Sequence, residues 1–102
     1  MKNYNVFNEF PIDSIKPLGW LKNFLELQAK GLTGNLECAG FPFDEIGWDR
    51  YSIDTSCLNE NPQWWVYEQT AYWVDGMERC GQLINDKKLL EKAQKSFDYT
   101  LD

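Results

Sequence analysis

Residues 59–84 read NENPQWWVYEQTAYWVDGMERCGQLI, a pattern typical of one long helix with an aromatic N-terminal half. Asn61 suits the N-cap, and Pro62 suits the first helical position, where a missing N–H costs nothing. Further along, residues at alternating spacings of four and three share one face of the helix. These residues are Val66, Thr70, Trp73, Met77, Cys80 and Ile84. The sequence therefore predicts a helix over residues 62–84.

Large rings crowd the first half of this helix, and burial of each would contribute roughly 1.5–3 kcal/mol. They are Trp64, Trp65, Tyr67, Tyr72 and Trp73. A helix this apolar needs neighbours on more than one side, and a chain of 102 residues offers few. We therefore expect partners beyond these residues to cover part of its surface.

A shorter helix is predicted before the central one. Residues 1–13 are irregularly patterned and interrupted by proline, so we expect an extended lead-in. Ser14 suits the N-cap of a first helix over residues 14–31, with Pro17 as an alternative start, and Gly31 is placed to form a left-handed C-cap. This helix is apolar over a wide arc, so its apolar surface is larger than one neighbouring helix can bury.

A long loop and a last helix complete the predicted organisation. Residues 32–61 have no periodic pattern but are rich in glycine and aromatic residues, so we expect a loop folded over a surface. A helix over residues 86–102 follows the central helix after a short link, which predicts an αα-hairpin. Its expected inner stripe is Leu90, Ala93, Phe97 and Leu101. The predicted fold is thus all-α, with three helices.

Charge and hydropathy narrow the classes of partner. The formal net charge of −6 argues against nucleic acid and anionic membrane surfaces, which select basic patches. No stretch is apolar for long enough to span a bilayer, and the N-terminus lacks the pattern of a signal peptide. We therefore expect no membrane association and a cytoplasmic location for the chain as written. A periplasmic or secreted location is expected instead if the N-terminus is truncated.

The metal-binding side chains are few and scattered. The chain has three cysteines and no histidine, and no two cysteines have the spacing of a zinc site. We expect no metal site within this chain and a small buried thiol at Cys80. Cys38 and Cys57 can pair in an oxidising compartment, but an odd number of cysteines favours reduced thiols.

Two stretches resemble a known family of enzymes. They are SIKPLGWLKNFLELQAKGLTGNL at residues 14–36 and WWVYEQTAYWVDGMERCGQLINDKKLLEKAQKSFDYTLD at residues 64–102. The motifs PLGWL, GLTG and W-W-x-Y-E-Q-T-A-Y-W are similar to the N-terminal part of the β-L-arabinofuranosidase-like glycosidases, glycoside hydrolase family 127 and its relatives. The similarity covers about sixty residues, with the intervening loop as a variable segment.

This resemblance implies a fold and an activity for the complete protein. Residues 1–102 would be the incomplete N-terminal portion of an (α/α)6 toroid that hydrolyses terminal sugar residues of plant-type glycans. The family's cysteine nucleophile and zinc site lie far beyond the matching region. The resemblance therefore implies that this chain contains no catalytic residue and no cofactor and would be inactive by itself. It implies a zinc ion only for the full-length protein.

Within the matching region, Trp65, Glu68 and Gln69 are the expected substrate-binding residues. Flat rings stack on sugars, while carboxylates and amides bond hydroxyl groups. Adjacent residues of a helix diverge by about 100°, so we expect one of Trp64 and Trp65 in the core and the other at a rim. Core packing for either indole, and a structural partner for Glu68, remain open alternatives. In the loop, Asn35, Asp44 and Trp48 are further candidates for the rim.

A second class of function fits the same residues. The chain can instead be a small helical module, without catalysis, whose aromatic surface binds carbohydrate or an apolar partner helix. A homodimer that buries this surface against itself is a third possibility. The expected partners are thus a carbohydrate, together with the remainder of the toroid or a second copy of the chain.

Overall fold

The computed structural model describes residues 7–49, residue 53 and residues 64–102. Helices make up 71% of these residues and no strand lies among them, so the predicted all-α class is confirmed for this part of the chain. The α-helices are α1 (Gly19–Lys30), α2 (Leu32–Asn35), α3 (Trp64–Ile84) and α4 (Lys87–Leu101). Short 3-10 helices cover Ile12–Ser14 and Leu36–Ala39.

Helices α3 and α4 form the αα-hairpin that the short link predicted. Asn85 adopts a left-handed conformation with φ of 55°, and the N–H of Asp86 donates to the Gly81 carbonyl at 2.9 Å. This is the six-to-one bond of a Schellman motif, which satisfies an orphan carbonyl at the end of α3. The Asp86 carboxylate then accepts the N–H groups of Lys88 and Leu89 at 3.0 and 3.2 Å. Asn85 and Asp86 therefore end α3, and Asp86 also caps the N-terminus of α4.

The core lies between these two helices. Its buried residues are Val74, Met77, Cys80, Leu89 and Ala93. The predicted face of α3 is confirmed at four positions, because Val66, Thr70, Met77 and Cys80 are all buried. The predicted stripe of α4 is wrong at its end, since Leu101 is 78% exposed. Ala93 of the predicted stripe is buried and Phe97 packs against the core, while the other buried residues of α4, Leu89 and Ser96, lie outside that stripe.

Helix α1 begins later than predicted. Gly19 has a φ of 58°, so a right-handed helix cannot extend from it back toward Ser14. Ser14 instead ends the 3-10 helix Ile12–Ser14, which also interrupts the lead-in expected over residues 1–13. At the other end, the predicted left-handed cap at Gly31 is wrong, because its φ is −98°. The Gly31 N–H donates to the Leu27 and Gln28 carbonyls, at 2.8 and 3.1 Å.

The predicted loop begins with helical turns. Helix α2 and the 3-10 helix Leu36–Ala39 occupy its first eight residues, and only residues 40–49 and 53 of the rest are described. A close backbone approach explains the turn after α1, because a Cβ added at Gly34 would lie 1.8 Å from the Ala29 carbonyl oxygen. This glycine belongs to the GLTG motif. Residues 54–63 lie outside the described residues, and they include Asn61 and Pro62 of the predicted helix start.

The described part of the loop packs against the hairpin through two aromatic contacts. Phe43 meets Trp73 with ring centroids 5.9 Å apart and planes at 83°. Trp48 meets Phe97 at 5.3 Å and 86°. Both are edge-to-face arrangements, which are favourable for aromatic quadrupoles.

Helix α1 is far less covered than the hairpin. None of its side chains is buried, and only Leu25 and Ala29 are half-buried against the core. Trp20 and Leu27 are 78% and 67% exposed. Across the described ranges, no helix has both the length and the apolar character that crossing a membrane requires.

Candidate functional site

The outward side of α3 carries all three predicted substrate-binding residues. Trp65 and Gln69 are one helical turn apart, and Glu68 lies beside Gln69. Tyr72 continues the row one turn further on. We call Trp65, Glu68, Gln69 and Tyr72 the α3 stripe. It faces away from the core because Val66, Thr70 and Val74 turn the opposite side of the helix inward.

Both tryptophans at the start of α3 are exposed. Trp64 is 58% exposed and Trp65 is 38% exposed. The expectation that one of them lies in the core is therefore wrong. Val66 is the buried residue of this turn, and the two preceding residues are rotated by about 100° and 200° from it. Neither indole can then point inward.

Glu68 is held by a residue of its own helix. The Tyr72 hydroxyl donates to Glu68 Oε1 at 2.9 Å, across one turn. That hydrogen bond, and then the negative charge of Glu68, raise the pKa of Tyr72 above its ordinary value. The bond ties the two side chains together at the surface and uses one oxygen of the Glu68 carboxylate. Its second oxygen can therefore accept a hydrogen bond from a ligand.

The polar row continues beyond Tyr72 toward the C-terminus of α3. Arg79 Nε donates to Asp75 Oδ2 at 2.7 Å, across one turn of the helix. This hydrogen bond and the Asp75 charge raise the pKa of Arg79. The pair is exposed and screened by water, so its contribution to stability is small. Between Tyr72 and Arg79, Gly76 leaves open space on the helix surface.

The chemistry available on the α3 stripe is that of binding. An exposed indole and a phenol ring offer apolar faces, and Gln69 offers an exposed amide that donates and accepts. Glu68 adds a carboxylate acceptor anchored by Tyr72. Such a mixture suits a ligand that carries both hydroxyl groups and C–H faces.

The other predicted rim residues make contacts elsewhere. The Asn35 amide donates to the Lys30 and Gly31 carbonyls at 2.9 and 3.0 Å, and so closes the end of α1. Trp48 packs on Phe97, and its backbone N–H donates to the Thr100 hydroxyl at 3.3 Å. Asp44 is exposed beside a small cavity near the 3-10 helix Leu36–Ala39. Asn35 and Trp48 therefore support the fold rather than a sugar rim.

The cysteines differ in their surroundings. Cys80 is buried, its thiol donates to the Leu25 carbonyl at 3.6 Å, and burial raises the pKa of that thiol. Cys38 is exposed, and Cys57, its alternative disulfide partner, lies outside the described residues. In the part of the chain that is described, no three Cys, Asp or Glu side chains converge as metal ligands.

Two long-range contacts could not be read from local patterns. Lys92 of α4 forms an ion pair with Glu37, 55 positions earlier. The Trp73 indole N–H donates to the Thr33 carbonyl at 2.9 Å, across 40 positions. Both contacts tie the segment that follows α1 to the hairpin, and no short sequence motif predicts either of them.

Comparisons of the whole chain with known protein families, with curated proteins and with solved structures find no match.

Proposed function

We propose that this chain is the N-terminal part of a glycoside hydrolase, most similar in kind to the β-L-arabinofuranosidases, and inactive by itself. In the complete protein it would supply the first helices of an (α/α)6 toroid and part of a sugar-binding wall. The substrates would be terminal sugar residues of plant-type glycans. Zinc, if used, would be held by residues outside this chain.

The observation that carries the proposal is the α3 stripe. Rings, an amide and an anchored carboxylate lie within two helical turns on an exposed surface. Stacking of a ring on the C–H face of a sugar and bonding of its hydroxyls need this combination of groups. The stripe lies in the W-W-x-Y-E-Q-T-A-Y-W motif that resembles the glycosidase family.

The exposure of α1 supports the toroid part of the proposal. Trp20, Phe24 and Leu27 follow each other at spacings of four and three on α1, and are 78%, 49% and 67% exposed. In an α/α toroid, neighbouring helical hairpins bury such a row. The remainder of the toroid would therefore cover α1.

Activity of the complete reading frame that contains these residues tests the proposal. A panel of aryl glycosides, assayed with and without a zinc chelator, should include one substrate that is hydrolysed. Glu68→Gln should raise the KM for that substrate, because it removes a charged acceptor from the binding wall. Glu78→Gln is the matched control, since Glu78 accepts from Gln82 Nε2 at 2.9 Å in the same one-turn geometry. Failure to hydrolyse any glycoside, or equal effects of both variants, would contradict the proposal.

The exposed row of α1 also favours a second candidate, a non-catalytic module that binds an apolar partner helix or a second copy of the chain. Exposed apolar patches of several hundred Å2 usually mark such interfaces. Self-association predicts unfolding midpoints that rise with protein concentration. Replacement of the exposed Leu27 by Glu should remove that dependence. A concentration-independent midpoint in the unchanged chain would dismiss the dimer.

A further inference from the structure

Two open cavities lie along α1 where it meets the turn between α3 and α4. Their volumes are about 560 Å3 and about 540 Å3. Ile84 and Asn85 line both, so the cavities are neighbours, and we call the pair the α1 groove. Along α1 its lining extends from the N-cap, Leu18, to Lys30, which is roughly 18 Å at about 1.5 Å per residue. No residue of the α3 stripe lines it, so the groove is distinct from the candidate sugar-binding wall.

Lysines are concentrated around the α1 groove. Five of the ten basic residues of the chain line it, against three of the sixteen acidic residues. The lysines are Lys16, Lys22, Lys30, Lys87 and Lys88. Because the whole chain has a net charge of −6, this excess of positive charge is opposite in sign to the charge of the remaining residues. An acidic partner is therefore attracted to the groove and repelled by the rest of the chain.

Two of the three acidic residues of the groove are already engaged. Glu26 pairs with Lys22 at 3.7 Å, and the Asp86 carboxylate caps the N-terminus of α4. The other four lysines of the groove are exposed, and each lies beyond ion-pair distance of the carboxylates among the described residues. Their ammonium groups are thus available to carboxylates of a partner.

Aliphatic side chains line the larger of the two cavities. Ile15 and Leu18 are 69% and 78% exposed, and Leu83 and Ile84 beside them are half-buried. Covering these side chains with an apolar group is favourable, because it removes apolar surface from water. A partner that fits the groove therefore combines carboxylates with apolar side chains.

We propose that the α1 groove binds an acidic, partly apolar segment of another protein in an extended conformation. An extended chain of about six residues spans roughly 20 Å, which matches the length of the groove along α1. A single small anion is too short to contact lysines at both ends. Carboxylates of the segment pair with the exposed lysines, and its apolar side chains cover Ile15 and Leu18.

Fluorescence anisotropy with the 102-residue chain tests this interaction. A labelled octapeptide of glutamate and leucine is compared with one that has lysine in place of glutamate and with one that has serine in place of leucine. We expect saturable binding of the first peptide that weakens as salt is added, weaker binding of the serine peptide, and no saturation with the lysine peptide. Inorganic phosphate and vesicles that contain phosphatidylserine, at the same concentration of negative charge, should not displace the first peptide.

Matched variants locate the binding. Lys30→Glu and Lys88→Glu should each weaken it about fivefold, because each replaces the attraction of an exposed pair by a repulsion. Lys95→Glu makes the same change of net charge on α4 outside the groove and should leave the affinity unchanged. Leu18→Ser keeps a favourable residue at the N-cap of α1 and should weaken binding about threefold, because apolar contact is lost. Glu68→Gln, in the α3 stripe, should have no effect, so the groove and the proposed sugar-binding wall can fail independently.

Four results would overturn the proposal. They are the absence of saturable binding, equal affinity for the lysine peptide, displacement by phosphate or by the vesicles, and equal effects of Lys88→Glu and Lys95→Glu. Lys30 and Lys88 lie on different helices, so the test remains valid if circular dichroism shows that one of these variants does not fold.

Discussion

The α3–α4 hairpin and helix α1 are built from similar proportions of apolar residues but use them differently. The hairpin buries Val74, Met77 and Ala93 at 1% exposure or less, and its turn is capped on both sides. Helix α1 buries no side chain and leaves Trp20 and Leu27 largely exposed. Hydrophobic content alone therefore does not tell which helix is stabilised within the chain.

Partner geometry accounts for the difference. A two-residue turn forces α4 against α3, so each inward side chain of the hairpin meets another. Helix α1 is followed by the tight turn at Gly34 and is held mainly through Leu25 and Ala29. Its remaining rings are available for contacts that the described residues do not provide. Substitutions in the two regions should consequently have very different effects.

The largest difference in stability is expected between alanine substitutions in the core and in α1. Met77→Ala should lower the free energy of unfolding by about 2–5 kcal/mol, because Met77 is fully buried between α3 and α4. Leu27→Ala, on the exposed side of α1, should change it by no more than about 0.5 kcal/mol. Urea unfolding followed by circular dichroism measures both. Similar losses in the two variants would mean that α1 is buried in solution.

Two glycines of α3 test how tightly the hairpin is packed. A Cβ at Gly81 would lie 2.9 Å from Leu90 Cδ2, so Gly81→Ala should cost about 1–3 kcal/mol. Gly76 has open space around it, so Gly76→Ala should stabilise the helix by about 0.5–1 kcal/mol. Thermal unfolding of both variants gives the comparison. The two changes in stability should have opposite signs. A loss of stability in Gly76→Ala would mean that another group packs against the helix at Gly76.

The capping of α4 should have a smaller effect. Asp86→Ala removes the acceptor for two backbone N–H groups and should cost about 1 kcal/mol. Asp98→Ala is the control, because the Asp98 carboxylate accepts an exposed bond from the Gln94 amide at 2.7 Å and caps no helix N-terminus. Its expected change is within about 0.5 kcal/mol. Chemical denaturation distinguishes the two, and equal changes would argue that the cap is not formed in solution.

The smallest expected effect concerns ionisation in the α3 stripe. The pKa of Tyr72 is raised by its bond to Glu68 and by the Glu68 charge, so Glu68→Gln should lower it toward the ordinary tyrosine value. A raised folded-state pKa stabilises the protein below the ordinary value, and this contribution disappears as pH rises through the folded pKa. The pKa of Tyr72 is measured from its ring carbon chemical shifts during an alkaline titration. Glu78→Gln should leave the Tyr72 titration unchanged.

Local patterns were enough to predict the hairpin and most of its core. The spacing from Val66 to Cys80 marked the buried face of α3, and the short link after Ile84 marked the turn. Both are properties of a few neighbouring residues. The start of α1 was not predicted, because Gly19 can adopt either a right-handed or a left-handed conformation and its sequence neighbours do not decide between them.

The candidate site was predicted in part for the same reason. Helical periodicity placed Trp65, Glu68 and Gln69 together, but it could not say which side of α3 neighbouring elements would cover. Both Trp64 and Trp65 are exposed because neighbouring elements cover the opposite side of α3, where Val66 lies. The Glu37–Lys92 pair depends on how the 3-10 helix Leu36–Ala39 lies against α4, which is a tertiary arrangement without a local signal.

The uneven burial of the indoles determines how the chain should behave in fluorescence. Trp20 and Trp64 are mostly in water, whereas Trp48 and Trp73 are partly buried against the core. Native emission should therefore contain a water-like component that acrylamide quenches freely, and the total intensity will respond weakly to unfolding. A chain that retains Trp73 as its only indole would instead report the docking of the GLTG turn, because its N–H is held by the Thr33 carbonyl.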